Sequence, residues 1–225
     1  MREPTALGLA LGLAVAGLAC GGGEKTVVDQ YFTALRANDT NTLTSFAMVS
    51  LDKEVQDYKL VSVGAESRAP APLPELVKKQ KELEAAVAEN MKEARAWGND
   101  LEIYPKLDRV RELQKDGKSV PASLQPIADK WSGFNTRDRE LKAQLAEAKR
   151  AVEREQRNTQ LSVGQVEGLE ELEGEVLSKQ LDLELTIDGQ VQPYVMTLRK
   201  YELERERGGP RTISRWVVQS LEPRA

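Results

Sequence analysis

Apolar residues recur three and four positions apart over two long stretches of the chain, the spacing that gathers side chains into one stripe on a helix. The first stretch carries Leu73, Leu76, Gln80, Leu83, Val87, Asn90, Ala94, Trp97, Leu101 and Tyr104. The second carries Ile127, Trp131, Phe134, Asp138, Leu141, Leu145, Ala148, Val152, Glu155 and Thr159. Their alternation is that of a and d positions in a heptad, which predicts two helical arms meeting along a seam. Between them "QKDGKSVP" provides turn chemistry.

In an antiparallel hairpin, facing residues have numbers with a constant total. A total of 235 centres the turn at Gly117 and pairs Leu83 with Val152, Val87 with Ala148, Leu101 with Phe134 and Tyr104 with Trp131. Arms of roughly 40 residues would each be about 60 Å long at 1.5 Å per residue. The polar seam positions, a Gln80–Glu155 pair with Asn90 and Asp138, are expected to fix register. At Pro105 the apolar stripe shifts to Ile103, Leu107 and Val110, which predicts a kink or a broken helix there.

The flanks follow a different pattern. "EKTVVDQYFTALRANDTNTLTSFAM" places Val28, Phe32 and Leu35 on one helical face and breaks at Asn38-Asp39-Thr40 before a short second helix with Leu43 and Phe46. "YKLVSVGAES" then reads as a strand. Further on, Leu181, Leu183, Leu185 and Ile187 alternate as strand residues do, up to Asp188-Gly189, a two-residue hairpin turn. A last strand is expected over "TISRWVVQSLEP". The fold class is therefore α+β, a small antiparallel sheet with N-terminal helices plus a long antiparallel coiled-coil hairpin inserted into it.

The residues from Pro4 to Ala19 contain no charge, too short a run to span a bilayer, which takes about 20 apolar residues in a helix. They end at Cys20, the sole cysteine, followed by Gly21-Gly22-Gly23. Small Ala19, then a cysteine, then a flexible exit resembles the bacterial lipobox. That resemblance implies cleavage before Cys20, a diacylglyceryl group on its thiol and acylation of the new amino terminus, with palmitate as a typical chain. The alternatives are plain secretion after cleavage and a buried free thiol, since free Cys packs as a small hydrophobe; the place of Cys20 at the end of the apolar run argues against the buried thiol. Gly21 in place of Asp after the cysteine resembles an outer-membrane sorting signal more than an inner-membrane one. Four segments are thus expected: a signal peptide over 1–19, a lipidated Cys20 with a glycine tether over 20–23, a base over 24–72 and 161–225, and the helical hairpin over 73–160.

Two helices, a strand and three later antiparallel strands, the last bearing Trp216, resemble the nuclear transport factor 2-like (cystatin-like cone) family. The opening "VVDQYFTALRANDTNTLTSF" is the part most similar to small bacterial envelope members of it. The resemblance covers about residues 24–66 and 175–223 and implies a cone-like base, with the hairpin replacing or interrupting the middle of the domain.

Composition removes most reaction classes. There is no histidine, and an acylated Cys20 leaves no thiol, so the commonest zinc ligands, the usual general base and every Ser-His or Cys-His arrangement are missing. No phosphate-binding glycine loop is present. A formal charge of −4 gives no overall basic field for nucleic acid. Asp29, Tyr31, Tyr194 and Tyr201 are the candidate residues for a ligand site in the cone; Asp29 is read as a solvated residue, and Tyr31, Tyr194, Tyr201 and Trp216 as core or rim aromatics. No catalytic, cofactor-binding or metal-ligating residue is expected, and Cys20 is the single modification site.

The expectation is a membrane-anchored, periplasm-facing envelope lipoprotein that is not an enzyme. It would meet a protein partner through its hairpin, whose distal half gathers Trp97, Tyr104, Trp131 and Phe134. Two alternatives stay open: a small-ligand-binding or enzymatic cone, and self-association as a homo-oligomer through the arms.

Overall fold

A computed structural model describes residues 22–205, 209 and 211–224. The predicted signal peptide, Cys20 and Gly21 lie outside the described residues. Among these residues the fold is α+β, with five α-helices and one five-stranded antiparallel sheet. Helix α1 spans Gly22–Arg36 and α2 spans Thr40–Phe46. Strands β1 (Asp57–Val63) and β2 (Ser67–Pro70) follow, then helices α3 (Leu73–Gly98), α4 (Tyr104–Lys115) and α5 (Gln125–Val163). The chain closes with β3 (Glu173–Ile187), β4 (Gln190–Glu204) and β5 (Val217–Pro223). Helix α1 begins at Gly22, inside the stretch expected as a tether, and β5 occupies only the second half of the expected last strand.

Strand order is β1-β3-β4-β5, with β2 also pairing with β3. The axis of the sheet is the β3–β4 hairpin, in which Ile187 pairs with Gln190 across Asp188-Gly189. Both turn residues have positive φ, 52° and 72°, as a type I′ turn requires. At the α1–α2 junction Asn38 is left-handed, φ 51°, and Asp39 caps α2 by accepting from the Thr42 N–H at 3.0 Å.

The long hairpin serves two cores. Partners in a sheet share a face and successive residues alternate. Leu181, Leu183, Leu185 and Ile187 of β3, with Tyr194, Met196 and Leu198 of β4, therefore lie on one face, where Val28, Tyr31 and Phe32 of α1 and Leu43 and Phe46 of α2 cover them. Val176, Tyr201 and Leu203 have the opposite parity and form a second core with Leu73 of α3, Val152 of α5, and Leu169 and Leu172. One end of the sheet is thus covered on one face by α1 and α2, the other end on the opposite face by the feet of α3 and α5.

Beyond the sheet, α3 and α5 pack in opposite directions. Glu84 pairs with Lys149 at 3.5 Å, Glu93 with Arg137 at 3.5 Å, and the Asn90 side-chain amide donates to the Phe134 carbonyl at 3.3 Å. Every predicted stripe position from Leu73 to Trp97, and all ten on the second arm, is at least partly buried.

The predicted register is not kept along the pair: Glu93, expected opposite Lys142, pairs with Arg137, and Asn90, expected opposite Leu145, bonds to the Phe134 carbonyl. Phe134 packs against Trp97, with ring centroids 5.7 Å apart, instead of Leu101; Leu101 is 93 % exposed and Tyr104 54 %. Leu101 and Tyr104 leave the seam because the helix breaks. Helix α3 stops at Gly98, a weak helix former, and Pro105 cannot continue a helix because it has no N–H and its ring would strike the preceding turn. Pro105 instead occupies the first turn of α4. Helix α4 then packs along the outer part of α5 with Leu107, Val110 and Leu113 buried, the shifted stripe. Arg111 of α4 lies over the Trp131 ring at 4.3 Å, the place predicted for Tyr104.

Candidate functional site

Among the described residues, three places hold polar or exposed side chains in an arrangement that the apolar cores do not explain: the joint between α5 and the sheet, the N-terminal end of α1, and the distal part of the arm around the α3–α4 turn.

At the joint, the seam of α5 becomes polar. Glu155, Asn158, Thr159 and Ser162 are all buried at helical spacing. Tyr201 of β4 donates its hydroxyl to Glu155 Oε1 at 2.6 Å, and Arg199 donates to Oε2 at 3.4 Å. The Ser162 hydroxyl donates to the Arg215 carbonyl at 2.8 Å and accepts from the Tyr201 N–H at 3.1 Å. Arg215 returns two bonds, from its side chain to the Leu161 carbonyl at 2.9 Å and to the Ser45 carbonyl at 2.7 Å. The helix is therefore tied to β4, to the approach to β5 and to α2. Burial, then the bond to Glu155, pushes the Tyr201 phenol well above its usual range. The expected Gln80–Glu155 seam pair does not form; Gln80 donates to Glu84 at 3.0 Å instead. Asn90 and Asp138 do sit in the seam, each with a buried Oδ1 that has no partner among the described residues.

At the start of α1, Glu24 is buried and ion-paired with Lys179 of β3, whose ammonium lies 5.1 Å from the Trp216 ring and 3.6 Å from Glu66. The Lys179 bond holds the Glu24 carboxyl below the usual carboxylate range. A charge pair on the first turn of α1 thus fastens the helix start to the sheet.

Of the candidate residues in the base, Tyr31, Tyr194 and Tyr201 are fully or almost fully buried in packed cores and Trp216 is partly buried beside the first. Asp29 is half exposed. It accepts from Lys25 and from the Tyr58 hydroxyl, each at 3.0 Å, and the Lys25 bond lowers its carboxyl. These residues do not converge: Tyr31 donates to the Val49 carbonyl at 3.3 Å, and Tyr201 belongs to the other core. Among the described residues no group of three His, Cys, Asp or Glu is placed to hold a metal ion, and no helix is long and apolar enough to cross a membrane.

At the far end of the arm, the turn between α3 and α4 is held by Asp100, whose Oδ1 accepts the N–H groups of Glu102 at 2.8 Å and Ile103 at 3.3 Å. It presents Leu101 almost wholly to solvent. Behind it Trp97 packs against Phe134, Arg111 covers the Trp131 ring, and Lys130 lies 5.2 Å from the Trp97 ring. Of the aromatics expected to gather in the distal half, Trp97 and Phe134 meet, Trp131 lies under Arg111 and Tyr104 is exposed.

The joint network was missed by sequence reasoning, which took Glu155 for a seam flaw. The available signal was four polar residues at helical spacing continuing an apolar stripe. Family models, curated proteins and solved structures give no match to this chain.

Proposed function

We propose that the protein is a lipid-anchored envelope lipoprotein whose cone-like base is held near the membrane by acylated Cys20, and whose α3–α5 pair acts as a coiled-coil arm that docks a protein partner without catalysis. The observation that carries this reading is the division of the molecule. Each face of the sheet carries a packed core at one end, while the arm leaves most of its surface free and holds Leu101 in solvent on a fixed turn. An apolar side chain on a preorganised turn suits docking, because little ordering cost remains to be met on binding. The short distance from Cys20 to α1, whose first turn is fastened to the sheet through Glu24 and Lys179, would keep the base close to the bilayer.

The test has two arms. Mass spectrometry of the protein from its native membrane should find Cys20 as an acylated amino terminus; a free thiol with the signal still attached would refute the anchoring. Crosslinking in the native envelope should capture a protein at positions flanking Leu101 and lose it when the distal arm is removed. An armless protein that keeps all its crosslinks would refute the docking role.

A further inference from the structure

Near the sheet end of the arm a groove opens between α3 and α5, lined by Leu76, Ala148 and Ala151, where methyl side chains leave space that larger residues would fill. Its rim carries Lys79, Arg150 and Arg154, and none of these three makes an ion pair or a side-chain hydrogen bond among the described residues. Glu147 is the single acid in the lining. The site is apolar at its floor and has a net charge of +2, three cations against one acid.

Further out on the same arm, the turn at the tip of α3 has the converse character. Leu101 is 93 % exposed and flanked by Asp100 and Glu102, neither of which is ion-paired among the described residues. The turn is fixed by the two bonds to Asp100 Oδ1. Lys106 is the first cation in sequence after this pair. The tip is therefore an apolar knob bearing two negative charges, and the groove is an apolar socket with a matching positive excess.

We propose that the groove receives the tip of a second copy of this chain, so that two molecules lie antiparallel along their arms with each Leu101 in the other's groove and Asp100 and Glu102 against Arg150 and Arg154. This rests on the reading that the arm is the interaction surface, and names a second copy as an occupant. Knob and socket are both carried by the one helix pair, at different levels along it. Leu76 and Leu101 are separated by most of α3, about 35 Å at 1.5 Å per residue. When one tip enters one groove in an antiparallel pair, two-fold symmetry brings the second tip to the second groove, closing the assembly at two. The charge excess on each site is cancelled by its counterpart, which favours this pairing and opposes a parallel one that would bring tip against tip.

The test uses the chain from residue 20 onward with Cys20→Ser, so that no native thiol interferes. One preparation carries Leu101→Cys and a second Ala151→Cys; each has one thiol, so a disulfide between the two preparations can form only between molecules. Mixed and gently oxidised, they should give a hetero-disulfide as the main product, and sedimentation of the thiol-free protein should show a monomer–dimer equilibrium weakened by salt. Arg150→Glu with Arg154→Glu should weaken dimerisation about tenfold or more, and adding Asp100→Lys with Glu102→Lys to the same chain should restore it. A monomer at every soluble concentration with no mixed disulfide would overturn the pairing. So would a ladder of higher oligomers, or failure of the double reversal to rescue. A monomer that still crosslinks to another envelope protein through its arm would overturn this pairing alone; arm-independent crosslinks would overturn the docking role itself.

Discussion

The hydroxyl of Tyr201 on β4 donates to the carboxylate of Glu155 on α5 at 2.6 Å, with both residues buried. This is the central polar contact by which the arm meets the sheet, and it replaces the apolar seam found further along the same helix. Removing the donor leaves a buried carboxylate with the more distant Arg199 as its side-chain partner. Tyr201→Phe should therefore destabilise the fold by about 1–3 kcal/mol. Urea unfolding should show a lower midpoint with an unchanged slope. An unchanged midpoint would mean that the bond contributes nothing to stability.

Alkaline pH should unfold the base through its buried phenols. Burial pushes Tyr31 up from 10.0 to about 12. The folded state keeps this proton at pH values where the unfolded chain has lost it, so the stabilisation is complete below pH 10 and drains away as pH rises to about 12. The loss over that window is about 3 kcal/mol, at roughly 1.4 kcal/mol per pH unit. Tyr31→Phe should flatten the fall in melting temperature across that range, although it also removes the bond to the Val49 carbonyl. An identical alkaline profile for the variant would rule Tyr31 out as a source.

Gly174 occupies a position that no other residue can take. Its φ is 145°, and a Cβ there would overlap the carbonyl oxygen of Glu202 on the paired strand. Gly174→Ala should cost at least about 2 kcal/mol by forcing β3 away from β4. Gly133, where an added Cβ meets nothing within 4 Å, is the control. Gly133→Ala on α5 should be stabilising by about 0.5–1 kcal/mol. Thermal melts that rank the two variants the other way would contradict the register of the β3–β4 hairpin.

At the far end of the arm, register is testable by energetics. Trp97 and Phe134 face each other and Leu101 faces water. A double-mutant cycle on Trp97→Ala and Phe134→Ala should show a coupling of about 0.5–1.5 kcal/mol. Leu101→Ala should change stability by less than about 0.5 kcal/mol. Coupling of Phe134 to Leu101 instead would restore the register in which paired numbers total 235.

What could be read from the sequence was local. Val28 and Phe32 on α1, the Asp188-Gly189 turn and the stripe from Leu73 to Trp97 follow from periodicity and turn chemistry, which neighbouring residues determine. The break at Gly98 comes about two turns before Pro105, where the shift of the stripe predicts it. Trp97 through Tyr104 keep heptad spacing whether or not the helix continues, and only the packing of Leu107 and Val110 onto α5 decides the matter. Glu155 was misread for a related reason: its partners Arg199 and Tyr201 come from a strand far along the chain, and spacing carries no information about such pairs. The existence of two cores on opposite faces is visible in the parity of β3, where Val176 and Leu181 differ, but its meaning needs the register.

The division between arm and base leads to a sharper excision than the predicted segment boundaries suggest. Replacing everything from 73 to 160 would strip Leu73 and Val152 from the second core and Glu155 from its bonds to Tyr201 and Arg199, exposing one face of the sheet. Such a protein should unfold for reasons unrelated to binding. The Glu84–Lys149 ion pair, 3.5 Å, marks a level at which the two helices lie side by side beyond those contacts. Joining Glu84 to Lys149 through a short Gly/Ser loop removes the distal arm with its tip and keeps both feet. A few flexible residues suffice to bridge a packed helix pair, whose axes are about 8–10 Å apart. The shortened protein should keep a cooperative melt and an intact β3–β4 amide-exchange core, while losing the crosslinks that depend on Leu101. A large drop in melting temperature would make the distal arm part of the folding unit, and a stable short form with every crosslink retained would move the interaction surface to the base.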